Sequence, residues 1–141
     1  MTPVDDEDVI GIGEGIMITA ASDFTVTFAG EVVAGAPTVV APAGFSMIGC
    51  PTPSSVKIAD ILVKNALGMG TDSAQKVNAD GSWGSMYYYN TLEGSGWLAD
   101  GWYKEDGMTP VDDDDVLAAG ESLMISAAQE MKLTFPAVIQ K

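Results

Sequence analysis

The chain has 141 residues, 47% of them hydrophobic, so it is long enough and apolar enough to bury a core. Its 20 acidic residues face 6 basic ones and give a net charge of −14, which argues against nucleic acid or an anionic membrane surface as a partner. The chain has no histidine and its basic residues are all lysines, so histidine nucleophile systems, His-ligated zinc and arginine clamps are excluded. Paired carboxylates of the glycosidase kind stay open, but we expect a protein that is not an enzyme and requires no cofactor.

The first part of the chain combines an acidic stretch with two apolar runs. The stretch TPVDDEDV contains a proline near its start and is predicted to form a loop. The runs GIMITAA and FTVTFAGEVV follow it, joined by the polar pair SD. In the second run apolar residues alternate with threonine, which is typical of a strand. We therefore predict a β-hairpin at the N-terminus.

The next part, as far as residue 68, is predicted to contain a hairpin and a helix. The apolar runs TVVA and FSMIGC are separated by PAG, which favours a turn. In PSSVKIADILVKNALG the apolar residues lie near helical spacing, serines precede them and a glycine follows. This is the one helix that the sequence predicts.

Residues 75–107 are predicted to form short strands. QKVN and SWGSMYYYNT flank ADG, and the pair Asp80-Gly81 suits a tight hairpin turn with positive φ. The stretch GWLADGWYKEDG adds further strands and turns. Short strands at regular spacing with glycine turns are typical of a β-sandwich or a barrel.

The end of the chain repeats its beginning. Residues 1–28 align with residues 108–135 without a gap, and 16 of the 28 aligned positions are identical. Most replacements are conservative, such as Ile10 aligned with Leu117. Agreement of this extent identifies a duplicated unit.

We call the duplicated unit the closing segment. Its copies are residues 1–34 and 108–141, and residues 35–107 between them are the body. The body and the segment after it make a complete repeat unit, residues 35–141, whereas the N-terminal copy is an orphan half-repeat and a candidate strand donor. We predict a mainly β fold: a β-sandwich or barrel-like domain with one short helix, plus an N-terminal β-hairpin that duplicates the C-terminal one.

Met1 aligns with Met108, and an initiator methionine would have no reason to match the repeat. We therefore expect the chain to be part of a longer secreted precursor; the rival interpretation is a start codon that arose at this methionine. No apolar stretch approaches the ~20 residues that a transmembrane helix needs, so we expect no membrane insertion.

Four stretches of the sequence together resemble tandem repeat modules of secreted and surface proteins of bacteria. They are GFSMIGCPTPSSVKIADI (44–61), ADGSW (79–83), DGWYKEDG (100–107) and GESLMI (120–125). In those modules a Gly-aromatic-x-x-Ile-Gly-x-Pro motif begins the unit and a Gly-Glu-x-x-x-Ile motif ends it. The resemblance implies an exported, β-rich module, outside the cell or at its surface, and brings no catalytic residues.

Each closing segment has a run of acidic residues that could supply carboxylates to calcium, which takes about six to eight oxygen ligands. The candidate ligands are Asp5, Asp6, Asp8, Asp112, Asp113 and Asp115. Neither run has the spacing or the central glycine of an EF-hand loop. The alternative is a solvated acidic turn that keeps the protein soluble, and both interpretations stay open.

Every tryptophan and tyrosine of the chain lies between residues 83 and 103. This aromatic block consists of Trp83, Tyr87, Tyr88, Tyr89, Trp97, Trp102 and Tyr103. Because alternate residues of a strand point to opposite faces, we predict that Tyr87 and Tyr89 share one face and Tyr88 takes the other. Core packing, subunit contact and stacking on a sugar all stay open as roles for the block.

We expect a structural, self-associating extracellular protein: a filament, appendage or surface-layer subunit assembled head to tail with copies of itself. In this hypothesis the N-terminal copy pairs with the body of a neighbouring subunit, as in strand donation, where alternate side chains fill pockets. The apolar residues expected to fill them are Ile16, Ile18, Phe24, Val26 and Phe28. The alternative is a carbohydrate- or cell-wall-binding module that uses the aromatic block to bind a surface glycan.

Overall fold

A computed structural model describes residues 9–25, 34–68 and 70–137 of the chain. Its strands are β1 Thr38–Ala41, β2 Gly44–Gly49, β3 Val56–Lys57, β4 Leu62–Lys64, β5 Ser73–Val77, β6 Trp83–Asn90, β7 Gly101–Lys104, β8 Val116–Leu117, β9 Ser122–Ala127 and β10 Met131–Thr134. Its helical elements are a 3₁₀ turn at Ile58–Asp60 and the short helix α1 at Leu92–Ser95.

The strands form three sheets in which every paired strand is antiparallel to its neighbours. The largest sheet has the order β2-β9-β5-β6-β7, the second has the order β1-β10-β4, and β3 pairs with β8. Buried side chains from both larger sheets make one core, to which β9 contributes Leu123 and Ile125 and β10 contributes Leu133. The predicted mainly β, sandwich-like fold is confirmed, and the described residues contain no closed barrel.

The hairpin predicted around Asp80-Gly81 is confirmed. β5 and β6 are antiparallel neighbours, and the turn between them has a φ of 80° at Gly81, a value that glycine adopts without strain. The Gly81 amide donates to the Asn78 carbonyl (2.8 Å), and the Asn78 amide donates to the Ser82 carbonyl (2.9 Å). The register shifts between Gln75 and Val77, which is a β-bulge close to the turn.

Two other predicted hairpins are not formed, because their strands separate into different sheets. β1 pairs with β10 while β2 pairs with β9, so the turn at Pro42–Gly44 joins the two layers of the sandwich. In the C-terminal closing segment, β9 and β10 likewise lie in different sheets. In the N-terminal copy, residues 9–25 contain an isolated bridge but no strand, and the rest of the predicted hairpin lies outside the described residues.

The predicted helix in PSSVKIADILVKNALG is wrong, because this stretch forms β3, the 3₁₀ turn and β4. Val56, Ile58 and Ile61 are all buried, and branching at Cβ favours extended backbone. β3 finds a partner in β8 and β4 finds one in β10, so sheet pairing overrides the approximate helical spacing. The one short α-helix among the described residues is α1, at a different place from the predicted one. The Thr91 hydroxyl caps it by accepting a hydrogen bond from the Gly94 amide (2.9 Å).

Candidate functional site

The C-terminal closing segment provides an interior strand to each of the two larger sheets. β9 lies between β2 and β5, and β10 lies between β1 and β4. Along β9, Ile125 is opposite both Ser46 and Ala74, so its neighbours on either side belong to the body. Leu133 of β10 has neighbours on both sides in the same way. We call the two positions that β9 and β10 occupy between strands of the body the slot.

The segment also fills the space between the two sheets. Leu123, Ile125, Leu133 and Phe135 are fully buried. Burial of each such side chain contributes about 1.5–3 kcal/mol to the free energy of folding. The Phe135 amide donates a hydrogen bond to the Pro37 carbonyl (2.9 Å), which continues the pairing of β10 with β1 past the end of the strand. Without the segment, the core would be exposed and β1, β2, β4 and β5 would each have an unpaired edge.

A buried carboxylate of the body holds the turn between β9 and β10. Asp72 is fully buried, and its Oδ2 accepts hydrogen bonds from the amides of Leu67 (2.6 Å) and Gly68 (3.0 Å). Its Oδ1 accepts a bond from the amide of Ala128 (3.0 Å), the first residue after β9. Three amide donors compensate for the loss of water around the carboxylate. Sequence reasoning missed Asp72, because nothing distinguishes it from the many solvated acids of this chain.

Lysines of the body contact acidic residues of the segment. Lys76 Nζ lies 3.0 Å from Glu121 Oε2, and both side chains are largely buried. Lys104 Nζ lies 2.8 Å from Asp112 Oδ2 and 3.3 Å from Asp115 Oδ2. The hydrogen bond between Lys104 and Asp112 lowers the pKa of Asp112 and raises the pKa of Lys104. These contacts give the slot a charge preference in addition to its apolar surface.

The acidic run predicted as a calcium site takes part in these contacts. Asp113, next to the lysine-bound Asp112, accepts a bond from Lys57 Nζ (2.8 Å), and the Tyr87 hydroxyl donates to Asp115 Oδ1 (3.2 Å). Within the part of the chain that the structure describes, no group of three or more His, Cys, Asp or Glu side chains is placed to hold a metal ion. The candidates outside that part are Asp5, Asp6 and Asp8. Calcium binding stays a prediction.

The two copies of the closing segment form the same turn. The Glu14 amide donates to the Gly11 carbonyl and the Glu121 amide donates to the Ala118 carbonyl, each at 3.0 Å. In each copy the glutamate carboxylate accepts a bond from the amide of the residue that begins the turn. The glycine before each glutamate has positive φ, 77° at Gly13 and 83° in the second copy. The duplication is therefore visible in the local backbone as well as in the sequence.

Beyond this turn the two copies differ completely in burial. Ile16, Ile18 and Phe24 are 46%, 49% and 57% exposed, whereas the residues aligned with them, at 123, 125 and 131, are buried. Val26 and Phe28 lie outside the described residues. The described apolar residues of the N-terminal copy therefore stand at the same positions as the residues that fill the slot, but their side chains are exposed.

The N-terminal copy contacts the body at the edge of β2 that faces away from β9. The Gly49 amide donates to the Gly13 carbonyl (2.9 Å), and the Gly15 amide donates to the Met47 carbonyl (3.2 Å). A Cβ at Gly13 would lie 2.2 Å from a Val39 methyl carbon, so this close approach requires glycine. β2 therefore has part of one closing segment on each side.

Most of the aromatic block belongs to the core. Tyr87, Tyr89, Trp102 and Tyr103 are buried, and Tyr89 meets Trp102 edge to face with ring centroids 5.2 Å apart. The Trp102 indole donates to the carbonyl of Ile61 (2.9 Å). The prediction that Tyr87 and Tyr89 share a face is confirmed by their burial. The block does not form one continuous exposed surface.

Two tryptophans of the block are exposed, at separate places. Trp83 is 55% exposed at the start of β6, and Trp97 is 66% exposed after α1. Trp97 lines an open hollow of about 480 Å³ together with Tyr88, Asn90 and Glu105. We call this the Trp97 hollow. It combines an exposed aromatic ring with hydroxyl, amide and carboxylate groups.

We predict that Asp72→Ala lowers the free energy of unfolding by about 2–5 kcal/mol, because three amides lose their acceptor and two of them belong to the loop that faces the segment. Urea denaturation monitored by tryptophan fluorescence measures the change. Asp60→Ala, at an exposed acid of the 3₁₀ turn, is the matched control and should change the value by less than about 0.5 kcal/mol. Equal effects of the two substitutions would contradict the role of Asp72.

Comparisons with known proteins add no relative. No protein-family model, no curated protein and no solved structure matches this chain. The resemblance to surface repeat modules therefore stays a prediction. Among the described residues, no helix is long and apolar enough to cross a membrane.

Proposed function

We propose that this is a structural, self-associating protein in which a closing segment of one copy fills the slot of another copy. One observation carries the proposal: a single segment supplies an interior strand to each of the two large sheets, and a second version of that segment is present with its described apolar residues exposed. Exposure of Ile16, Ile18 and Phe24 to water is unfavourable, and these residues align with residues that are buried in the slot.

The charged contacts support the same match. By sequence, Glu14 corresponds to Glu121, the partner of Lys76, and Asp8 corresponds to a partner of Lys104. The lysines of the body contact acids of the C-terminal copy, and the N-terminal copy has acids at the same aligned positions. Because opposite charges also exclude a shifted register, these pairs favour insertion of the segment in the register of β9 and β10.

Each body has one slot, and the chain carries two segments. Donation between copies therefore requires the resident C-terminal segment to leave, so assembly proceeds by exchange of one segment for another. The main-chain hydrogen bonds on both sides of β9 and β10 form again with the incoming segment, which preserves most of the interaction energy. Repetition of this exchange from one copy to the next, head to tail, produces an open filament. We place this assembly outside the cell or at its surface, on the resemblance to surface repeat modules.

A second candidate function is binding of a carbohydrate in the Trp97 hollow. Sugars stack on exposed aromatic rings and bond to neighbouring polar groups, and the hollow offers Trp97 beside Asn90 and Glu105. Four of the other aromatic residues predicted for this role are buried, so the proposal concentrates on the hollow. A surface glycan would then be the partner.

For self-association, we predict that Ile18→Asp abolishes assembly, since the aspartate would have to enter the dry position that Ile125 occupies. Electron microscopy and sedimentation of the concentrated protein measure polymer formation. The matched control is Met17→Asp, because Met17 aligns with Met124 on the half-buried face of β9. The control should still assemble. A wild-type chain that stays monomeric at all concentrations would contradict the proposal.

For carbohydrate binding, we predict that Trp97→Ala removes at least about nine-tenths of the affinity for any glycan that an array identifies, because the main stacking surface is lost. Trp83→Ala is the control, as it removes an exposed tryptophan away from the hollow. Loss of binding in both variants, or in neither, would exclude the Trp97 hollow as the binding site.

A further inference from the structure

We infer that the slot of a body is also a binding site for the N-terminal closing segment of its own chain, so that the two segments compete for it. This inference rests on the equivalence of the two segments that the proposed function assumes. In the described structure the C-terminal copy holds the slot, and the alternative state has Ile16, Ile18 and Phe24 in place of Leu123, Ile125 and Met131.

The topology of the body allows the N-terminal copy to reach the slot. β10 is antiparallel to β1, and Thr134 at the end of β10 lies opposite Thr38 at the start of β1. In the sequence, the part of the N-terminal copy that corresponds to β10 comes just before β1. Antiparallel neighbours are the strands that a short loop joins, so this copy would enter beside β1 as the first strand of a hairpin. Thr27 aligns with Thr134, and the chain between Thr27 and Thr38 is long enough to serve as the loop.

The buried polar contacts that retain the C-terminal copy do not depend on side chains unique to it. Asp72 binds a main-chain amide, that of Ala128, and an alanine also stands at the aligned position, Ala21. The partner of Lys76 is a glutamate in both copies. The body therefore offers these buried polar contacts to either segment, and the exposed hydrogen bond from Gln129 to the Asn65 carbonyl (2.6 Å) is the one that Ser22 at the aligned position does not preserve.

Two differences explain why the C-terminal copy is the occupant. Phe24 replaces Met131, which is almost fully buried, and a rigid ring fits less easily than a flexible thioether into a packed core. Gly15 replaces Ser122, the first residue of β9, and glycine loses more backbone freedom when it enters a strand. Both differences favour the C-terminal copy without excluding the other.

The N-terminal copy is also held close to the body. The Gly13 carbonyl accepts a hydrogen bond from Gly49 of β2 and the Gly15 amide donates one to Met47, so the residues that follow start beside the largest sheet. A tethered segment has a high local concentration, so within one chain it competes for the slot more effectively than a segment of another copy does in dilute solution.

The test uses the full chain with Ile125→Asp, which makes the C-terminal copy unfit for the slot. We expect this variant to stay folded as a monomer, with a cooperative thermal transition that does not depend on concentration. The double variant Ile18→Asp/Ile125→Asp should lose the cooperative transition. Addition of Phe24→Met to the single variant should raise its melting temperature, because the residue found in the favoured copy is restored.

The outcomes separate this inference from the proposed function. If Ile125→Asp is as unfolded as the double variant, the N-terminal copy does not fill the slot and the inference is wrong. If Ile125→Asp folds only as an oligomer whose melting temperature rises with concentration, filling occurs between chains alone; the inference is then wrong while the proposed function stands. A cooperative fold in the double variant would contradict both, because the slot would then need neither segment.

Discussion

The fold depends on one constraint: an interior strand of each large sheet comes from the same short segment at the end of the repeat unit. An interior strand bonds its backbone on both sides, so β9 and β10 connect body strands that otherwise have no partner on that side. The same two strands also bury Leu123, Ile125, Met131 and Leu133 in the core. The order and register of β2-β9-β5 and of β1-β10-β4 therefore follow from how this segment is placed.

The duplication in the sequence identified this segment but did not show that its two strands lie in different sheets. Alternation of apolar and polar residues predicted two strands joined by a polar turn, which is what Ser122–Thr134 forms. A period of two does not say whether consecutive strands pair with each other or lie in facing sheets, since both arrangements bury alternate side chains. The predicted hairpins at 38–49 and at the C-terminus failed for this reason. The turn at Asp80-Gly81 succeeded because its chemistry is specific for a hairpin.

The apolar residues that fill the slot could be predicted from their pattern in the sequence. The single polar contacts that hold the segment could not. The sequence predicted Ile16, Ile18 and Phe24 as pocket-filling residues, and the residues aligned with them in the C-terminal copy are buried in the slot. Asp72 was not, because its role arises from three amides that come together only in the folded chain. The sequence left the role of the aromatic block open between core, interface and sugar binding, and the pairing of β6 with β7 places Tyr89 and Trp102 together in the core.

Charge has a more particular role than the net value of −14 suggests. An excess of acid keeps separate copies apart at long range and favours solubility. At short range, acids of the closing segment contact Lys57, Lys76 and Lys104, which are three of the four lysines of the body. In the proposed assembly, this arrangement would permit specific pairing between molecules that otherwise repel each other. Binding of the segment should accordingly depend on ionic strength.

The most direct measurement takes the body alone, residues 35–107, and follows its folding by circular dichroism as a peptide is added. The account predicts no cooperative fold for the body by itself. It predicts that a peptide of residues 108–135 and a peptide of residues 1–28 each restore the fold, with the first binding more tightly. A body that folds cooperatively without a peptide, or that responds to residues 108–135 and never to residues 1–28, would contradict it.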